Sequence, residues 1–275
     1  MSRRAAAAPE PYWRAHRRCH RDGRLEWYGE EPTEDFWGDL WSRRLAHDYF
    51  APADRGDLQD LEEVLVRRLD RSGRHLEAGC GLGYWVAALR ARDYDVQGLE
   101  SSGVLAEVAN AARPDLRIQR GDALAVASPD ASFDGYLSFG VVEHRREGPE
   151  PFLAEAHRLL RPDGTLILSV PWLCPLRRLK AALGAYPGRP PDDVSGFFQY
   201  AFSQDEIEQL VRAAGFRVEE VHHQHVQRCL VEEVPGYFRL NRMRGARLVK
   251  QAVSAVVPPR LAGHMVLVVA TRDRS

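Results

Sequence analysis

The chain lacks a long hydrophobic run, a cysteine pair and any sizeable net charge, and each absence removes a class of protein. No stretch approaches the roughly 20 apolar residues that span a bilayer, so no integral membrane segment is expected. Only four cysteines occur in 275 residues, Cys19, Cys80, Cys174 and Cys229, and none forms a C-x-x-C pair. That usage fits a reducing compartment and offers neither a disulfide framework nor a structural zinc site. Lys and Arg total 38 against 39 acids, a formal net charge of -1, so no global basic field exists to hold nucleic acid. The opening Met1-Ser2-Arg3-Arg4 and its four alanines are too short and too weakly apolar for a signal peptide. No internal repeat is visible. The expectation is a soluble, cytoplasmic chain, long enough for one substantial core with additions.

What is present is a glycine-rich turn in a telling place. His75-Leu76-Glu77-Ala78-Gly79-Cys80-Gly81-Leu82-Gly83 follows a short apolar run and precedes the helix-like Tyr84-Trp85-Val86-Ala87-Ala88-Leu89-Arg90. Strand, glycine turn and helix make a nucleotide cradle, because glycines let a ligand approach the main chain and the helix start offers free amides. Glu77 at the mouth of the turn would repel a pyrophosphate and suits a cationic cofactor better. The dinucleotide pattern G-x-G-x-x-G fits poorly, since Tyr84 stands where its last glycine or alanine belongs.

Downstream segments keep the same alternation. Val96-Gln97-Gly98-Leu99-Glu100 reads as a second strand ending in an acid, placed to accept hydrogen bonds from ribose hydroxyls. Ile118-Gln119-Arg120-Gly121-Asp122-Ala123 is a third strand, and Ser132 to Gly140 a fourth, followed by Val141-Val142-Glu143-His144. Glu155-Ala156-His157-Arg158-Leu159-Leu160-Arg161-Pro162-Asp163-Gly164 closes a helix with a turn into a fifth strand.

The order E-x-G-x-G-x-G, F-D-x-x-x-S, V-x-E-H and E-x-x-R-L-L-R-P-x-G, spread over residues 74 to 171, resembles the class I S-adenosylmethionine-dependent methyltransferases, small-molecule branch. The resemblance implies a Rossmann-like, doubly wound α/β fold with a seven-stranded sheet whose last strand is antiparallel. It implies S-adenosylmethionine as cofactor and a small-molecule acceptor. Carried over residue by residue, the cofactor contacts fall on Glu77, Gly79, Cys80, Gly81, Gly83, Glu100, Asp122, Ala123 and Phe139. Glu77 would face the amino group, Glu100 the ribose, and Asp122 with the adjoining Ala123 amide the adenine. Cys80 reads as a small filler of the cradle, and Asp122 has the simpler alternative of an Asx turn.

Outside the core at residues 72–275, residues 1–71 read as an N-terminal extension, partly disordered at its very start and a helical lid from Thr33, and residues 172–201 as a substrate-side insert after the fifth strand. Together they are expected to form the acceptor pocket, with Trp37, Trp41, Trp172, Phe198 and Tyr200 as its walls and Tyr12 and Trp13 as part of a lid. Arg177, Arg178 and Lys180 on the Leu176–Leu183 piece would alternatively give weak contact with a membrane surface and admit a lipid-like acceptor. His144, at the carboxyl edge of the fourth strand, is the candidate general base, the alternative being that Glu143-His144 forms part of the cofactor wall or a helix start. His222, His223 and His225 read as a polar strand edge rather than a metal site. After the fourth strand neither an Asn/Asp-Pro-Pro-aromatic segment nor a Pro-Cys appears, which argues against methylation of nucleic-acid bases. A protein methyltransferase and a non-catalytic cofactor-binding subunit remain as alternatives.

Overall fold

The computed structural model describes residues 16–42, 45, 48–190, 192, 196–241 and 246–274. Ten strands are present among these: β1 (Arg17–Arg21), β2 (Arg24–Gly29), β3 (Arg74–Ala78), β4 (Asp95–Glu100), β5 (Gln119–Arg120), β6 (Phe133–Phe139), β7 (Leu160–Pro171), β8 (Gly196–Ala201), β9 (Phe216–Gln224) and β10 (Met265–Arg272). Seven of them form one sheet in the order β5-β4-β3-β6-β7-β10-β9. The pairs from β5 to β7 are parallel, whereas β10 runs antiparallel to both β7 and β9. The strand order reverses between β3 and β6, which opens a crevice at their carboxyl ends, where open α/β sheets take their ligands.

Both faces are buried at the centre of this sheet, so the second half of β7 and most of β10 read as near-continuous apolar runs, whereas the edge strands β5 and β9 are polar and partly exposed. Alternation then divides each strand between two cores. Leu166, Leu168 and Val170 of β7 and Val266, Val268 and Ala270 of β10 pack with the helices Glu150–Leu159 and Gln204–Ala213. Ile167, Leu267 and Val269 point the other way, toward Glu62–Arg68, Tyr84–Arg90 and Gly103–Ala112. Local signals fix the helix ends. The Ser203 hydroxyl accepts from the Glu206 amide at 3.2 Å, and Gly215, at φ +87°, stops the same helix.

A second, three-stranded antiparallel sheet, β1-β2-β8, joins the extension to the insert. Residues 17–29, for which the sequence suggested no element, form a hairpin. Its turn is Asp22-Gly23, both with positive φ (52° and 81°), the backbone that a two-residue hairpin loop requires. The face carrying Leu25 and Trp27 packs on Phe36, Leu173 and Phe198. Helix Glu34–Ser42, begun by the Thr33 hydroxyl accepting from the Phe36 amide at 3.3 Å, is thereby laid across the crevice.

Candidate active site

After β3 the chain turns through three glycines with φ of +77° (Gly79), +57° (Gly81) and +82° (Gly83) into helix Tyr84–Arg90. The first is pressed against the protein, since a Cβ there would lie 2.5 Å from Val141 Cγ2. The second is open, and its Cβ would meet only the Trp41 ring, 3.7 Å away. The loop is held down by its own backbone, with the Gly79 and Cys80 amides donating to the Leu99 carbonyl at 2.8 and 3.0 Å.

Two acids meet this loop. Glu100 is buried; its Oε2 accepts from the Gly81 amide at 2.8 Å and its Oε1 from the Ser102 amide at 2.9 Å. It therefore staples β4 to the glycine turn. Glu77 is 2% exposed and its Oε2 has no hydrogen-bond partner. Burial, reinforced by the nearby Glu100 carboxylate, holds its carboxyl well above the usual range. Both acids line a cavity of 480 Å³, together with Gly79, Cys80, Gly81, Asp122, Ala123 and Phe139. Asp122 is exposed, and its Oδ1 accepts from the Leu124 amide at 2.9 Å, forming the Asx turn while facing the cavity.

A second cavity of 360 Å³ adjoins the first. Trp37, Trp41, Trp85, Phe139, Gly140 and His144 line both. His144 Nδ1 lies 2.7 Å from the Phe198 carbonyl of β8. A carbonyl only accepts, so Nδ1 carries the proton and Nε2 keeps its lone pair. Nε2 lies 3.9 Å from Glu143 Oε1. Burial between Trp37 and Phe198, at ring distances of 5.0 and 4.9 Å, lowers the imidazole to about 4. Glu143 is 2% exposed, its Oε2 has no partner, and burial pushes its carboxyl up to about 8.

Of the expected acceptor-pocket residues, Trp37, Trp41 and Phe198 line the second cavity, but Trp172 and Tyr200 line neither. Trp172 is instead stacked on His223 at 3.9 Å, and Tyr200 donates its hydroxyl to the Arg146 carbonyl at 2.8 Å. A bulge in β8 explains the split: residues 198 and 200 would share a face of a regular strand, but the register with β2 slips at Phe198, which joins the hairpin core while Tyr200 joins the main core. Tyr12 and Trp13 lie outside the described residues.

The membrane-facing reading of the insert meets a different arrangement. Arg177 on helix Pro175–Ala182 is fully buried, donating to Glu232 Oε2 at 2.8 Å, Glu233 Oε1 at 2.9 Å and the Trp172 carbonyl at 2.7 Å. Lys180 also pairs with Glu233, at 2.8 Å. Two of the three basic residues thus hold the insert onto helix Val226–Glu233 and are not offered to a surface. Cys174 and Cys229, distant in sequence, bring their sulfurs to 3.7 Å in the same region.

His222 contacts Glu220 at 2.7 Å, His223 contacts Gln204 at 3.0 Å, and no metal-ligating cluster occurs among the described residues. The sequence reading missed Arg228, Glu232 and His264, which line the second cavity, and took His225, which also lines it, for a strand edge. Glu143, read with His144 as cofactor wall or helix start, lines the second cavity as well.

Comparison with known proteins identifies the scaffold. A family model described as "Methyltransferase domain" matches residues 47–221. The chain belongs to this methyltransferase family. A "probable S-adenosylmethionine-dependent methyltransferase" of Mycolicibacterium smegmatis is 32% identical over 161 residues, 58% of each chain. One of Mycobacterium tuberculosis, described in the same words, is 26% identical over 70% of this chain and 66% of its own. The chain therefore matches less than two thirds of either relative's length. The structure of an S-adenosylmethionine-dependent methyltransferase of Methanosarcina mazei superposes with a TM-score of 0.56 at 15% identity, covering 79% of this chain and all of that one.

The family implies S-adenosylmethionine as cofactor, and the first cavity of this methyltransferase chain fits it on two counts. The unpartnered Glu77 oxygen supplies what a buried ammonium group needs. Gly81 leaves open the space that a Cβ would fill, against an indole face. No helix among the described residues is long and apolar enough to cross a membrane.

Proposed function

We propose that this chain moves a methyl group from S-adenosylmethionine to a small-molecule acceptor held in the second cavity. The observation that carries the reading is the shared wall. Two cavities, one bearing the cofactor residues, meet at Trp37, Trp41, Trp85, Phe139, Gly140 and His144. The cofactor's sulfonium supplies an activated methyl group, so the protein has chiefly to align, shield and handle a proton.

In this reading Glu77 pairs with the cofactor's amino group, Glu100 receives the ribose hydroxyls, and Asp122 with the Ala123 amide reads the adenine. Cys80 and Phe139 close the cradle. The aromatic wall excludes water and holds the acceptor in line, a contribution that reaches about 10⁵ M in effective molarity. A general base adds about 10²- to 10⁴-fold. An imidazole lowered to about 4 is a weak base at neutral pH, so we assign His144 to orienting the acceptor through Nε2. The four unpaired, buried thiols support a cytoplasmic setting.

Calorimetric titration with S-adenosylmethionine, S-adenosylhomocysteine and NAD tests the reading. The first two should bind at micromolar levels and NAD should not; binding of NAD alone, or of none, would refute it. With an acceptor in hand, His144→Ala should lower turnover and leave cofactor affinity nearly intact. A parallel loss of both would move His144 into the cofactor wall.

A further inference from the structure

The wall of the second cavity holds an acid with one carboxyl oxygen unpartnered. Glu143 sits in the turn Val142–His144 after β6, is 2% exposed, and leaves Oε2 without a donor. Buried polar groups in native proteins are hydrogen-bonded almost without exception, and an exception at a cavity wall marks the place of a ligand group. The rest of the wall says which kind. Trp27, Trp37, Trp41, Trp85, Phe139 and Phe198 all line this cavity. Aromatic faces carry negative potential and attract ammonium groups, the principle of aromatic cages.

The cavity's own positive groups are engaged. Arg228 donates to Glu232 Oε1 at 2.6 Å. His264 accepts at Nδ1 from Arg177, 2.8 Å away, so that nitrogen is unprotonated. Burial lowers His225 and His264 toward neutrality. Asp60 and Glu232 add two further carboxylates to the lining. An anionic acceptor would meet aromatic faces and acids, whereas a cation would meet complementary charge.

We propose that the acceptor is an amine on an apolar or aromatic body, entering as its ammonium ion, with Glu143 as the catalytic residue that receives it and takes its proton. The inference rests on the methyltransferase reading above. A resting carboxyl held at about 8 carries a proton at neutral pH, and entry of the ammonium ion displaces it. Glu143 Oε2 then removes one ammonium proton, leaving a neutral amine. The nitrogen forms a bond to the methyl carbon, the carbon–sulfur bond breaks, and that electron pair stays on sulfur. The positive charge passes from sulfonium to the methylated nitrogen, and the proton on Glu143 leaves to solvent as product departs.

The test is calorimetric titration of protein loaded with S-adenosylhomocysteine, using arylalkylamines matched to the alcohol and carboxylate of the same skeleton. Phenethylamine, 2-phenylethanol and 3-phenylpropionate form the smallest triplet. In at least one triplet the amine should bind about tenfold or more tighter than its partners, the scale of one hydrogen bond to a charged group. Glu143→Gln should erase that preference, weakening the amine by about 10- to 100-fold while S-adenosylhomocysteine binds as before. An alcohol or carboxylate that equals its amine in every triplet would overturn the proposal, as would absence of amine binding or a Gln variant with unchanged amine affinity. Should the variant fail to fold, the wild-type triplets decide alone. Failure of S-adenosylhomocysteine itself to bind would instead overturn the methyltransferase reading, and the two failures are told apart in one experiment.

Discussion

Replacing Glu143 by Gln removes an ionisable group from a site that resists its charge. The folded protein holds this carboxyl at about 8, against 4.5 for the free side chain. Between those values the unfolded chain has released its proton and the native chain has not. Stability therefore falls as pH rises, by about 1.4 kcal/mol per pH unit. The contribution is whole below about 4.5 and lost as pH climbs through about 8. At pH 7 the penalty is about 3 kcal/mol, an upper figure because water entry and relaxation reduce it. Gln keeps the shape and cannot ionise, so it escapes the penalty. Urea unfolding of both proteins from about pH 5 to about pH 8 checks this. Other titrations cancel in the difference, and His144, lowered to about 4, is neutral throughout that window. The variant's advantage should grow with pH. A difference that stays flat or shrinks would refute the argument that Glu143 is buried as an acid.

Glu100→Ala strands the Gly81 and Ser102 amides along with the ribose, and should weaken S-adenosylmethionine binding by about 1–3 kcal/mol; unchanged affinity in calorimetry would remove Glu100 from that role. Gly79→Ala places a methyl 2.5 Å from Val141 at a left-handed φ, so it should lower folding stability by about 1–3 kcal/mol. Gly81→Ala meets only Trp41 at 3.7 Å, so it should change the melting temperature less than Gly79→Ala and reduce cofactor affinity more. Arg177→Met leaves Glu232 and Glu233 buried without their shared partner, a loss of about 3–5 kcal/mol; a melting temperature equal to that of the wild type would show the network to be dispensable.

The sheet and the glycine turn that lines the first cavity were legible because their signals are local. Glycine spacing, an acid at a strand end and a Pro-Asp-Gly turn each report on a few consecutive residues. Even there one detail escaped: Arg161 to Gly164 belong to β7 as an irregularity in its pairing with β6 rather than to a turn before it. The extension was legible only from Thr33 onward. Asp22-Gly23 is a hairpin signal, but it went unread because arginines on β1 hide the alternation and the second partner of β2, β8, lies far along the chain. The His225, Arg228, Glu232 and His264 wall was illegible for the same reason, since no spacing rule links those residues to Trp37. Glu143 was visible but unreadable, because sequence does not tell a solvated acid from one buried without a partner.

The two cavities are therefore built by different means, and on the proposed function this bears on how acceptor choice is set. The glycine turn is fixed to β4 by short-range bonds, the Gly81 amide to Glu100 and the Gly79 and Cys80 amides to the Leu99 carbonyl. The acceptor half hangs on contacts between distant segments. Arg177, from the insert, holds Glu232 on one side and Glu233 on the other, while Arg18 of β1 also pairs with Glu233. Glu232 in turn holds Arg228 at the cavity wall. A change in the insert thus reaches the acceptor wall directly, through Phe198, and indirectly, through the buried Arg177 guanidinium. Such a division lets insert and hairpin drift toward new acceptors while the methyl donor's cradle stays fixed. In Arg177→Met protein that remains folded, acceptor affinity should accordingly fall with S-adenosylhomocysteine affinity unmoved; an equal loss of both would mean that the two cavities are mechanically one.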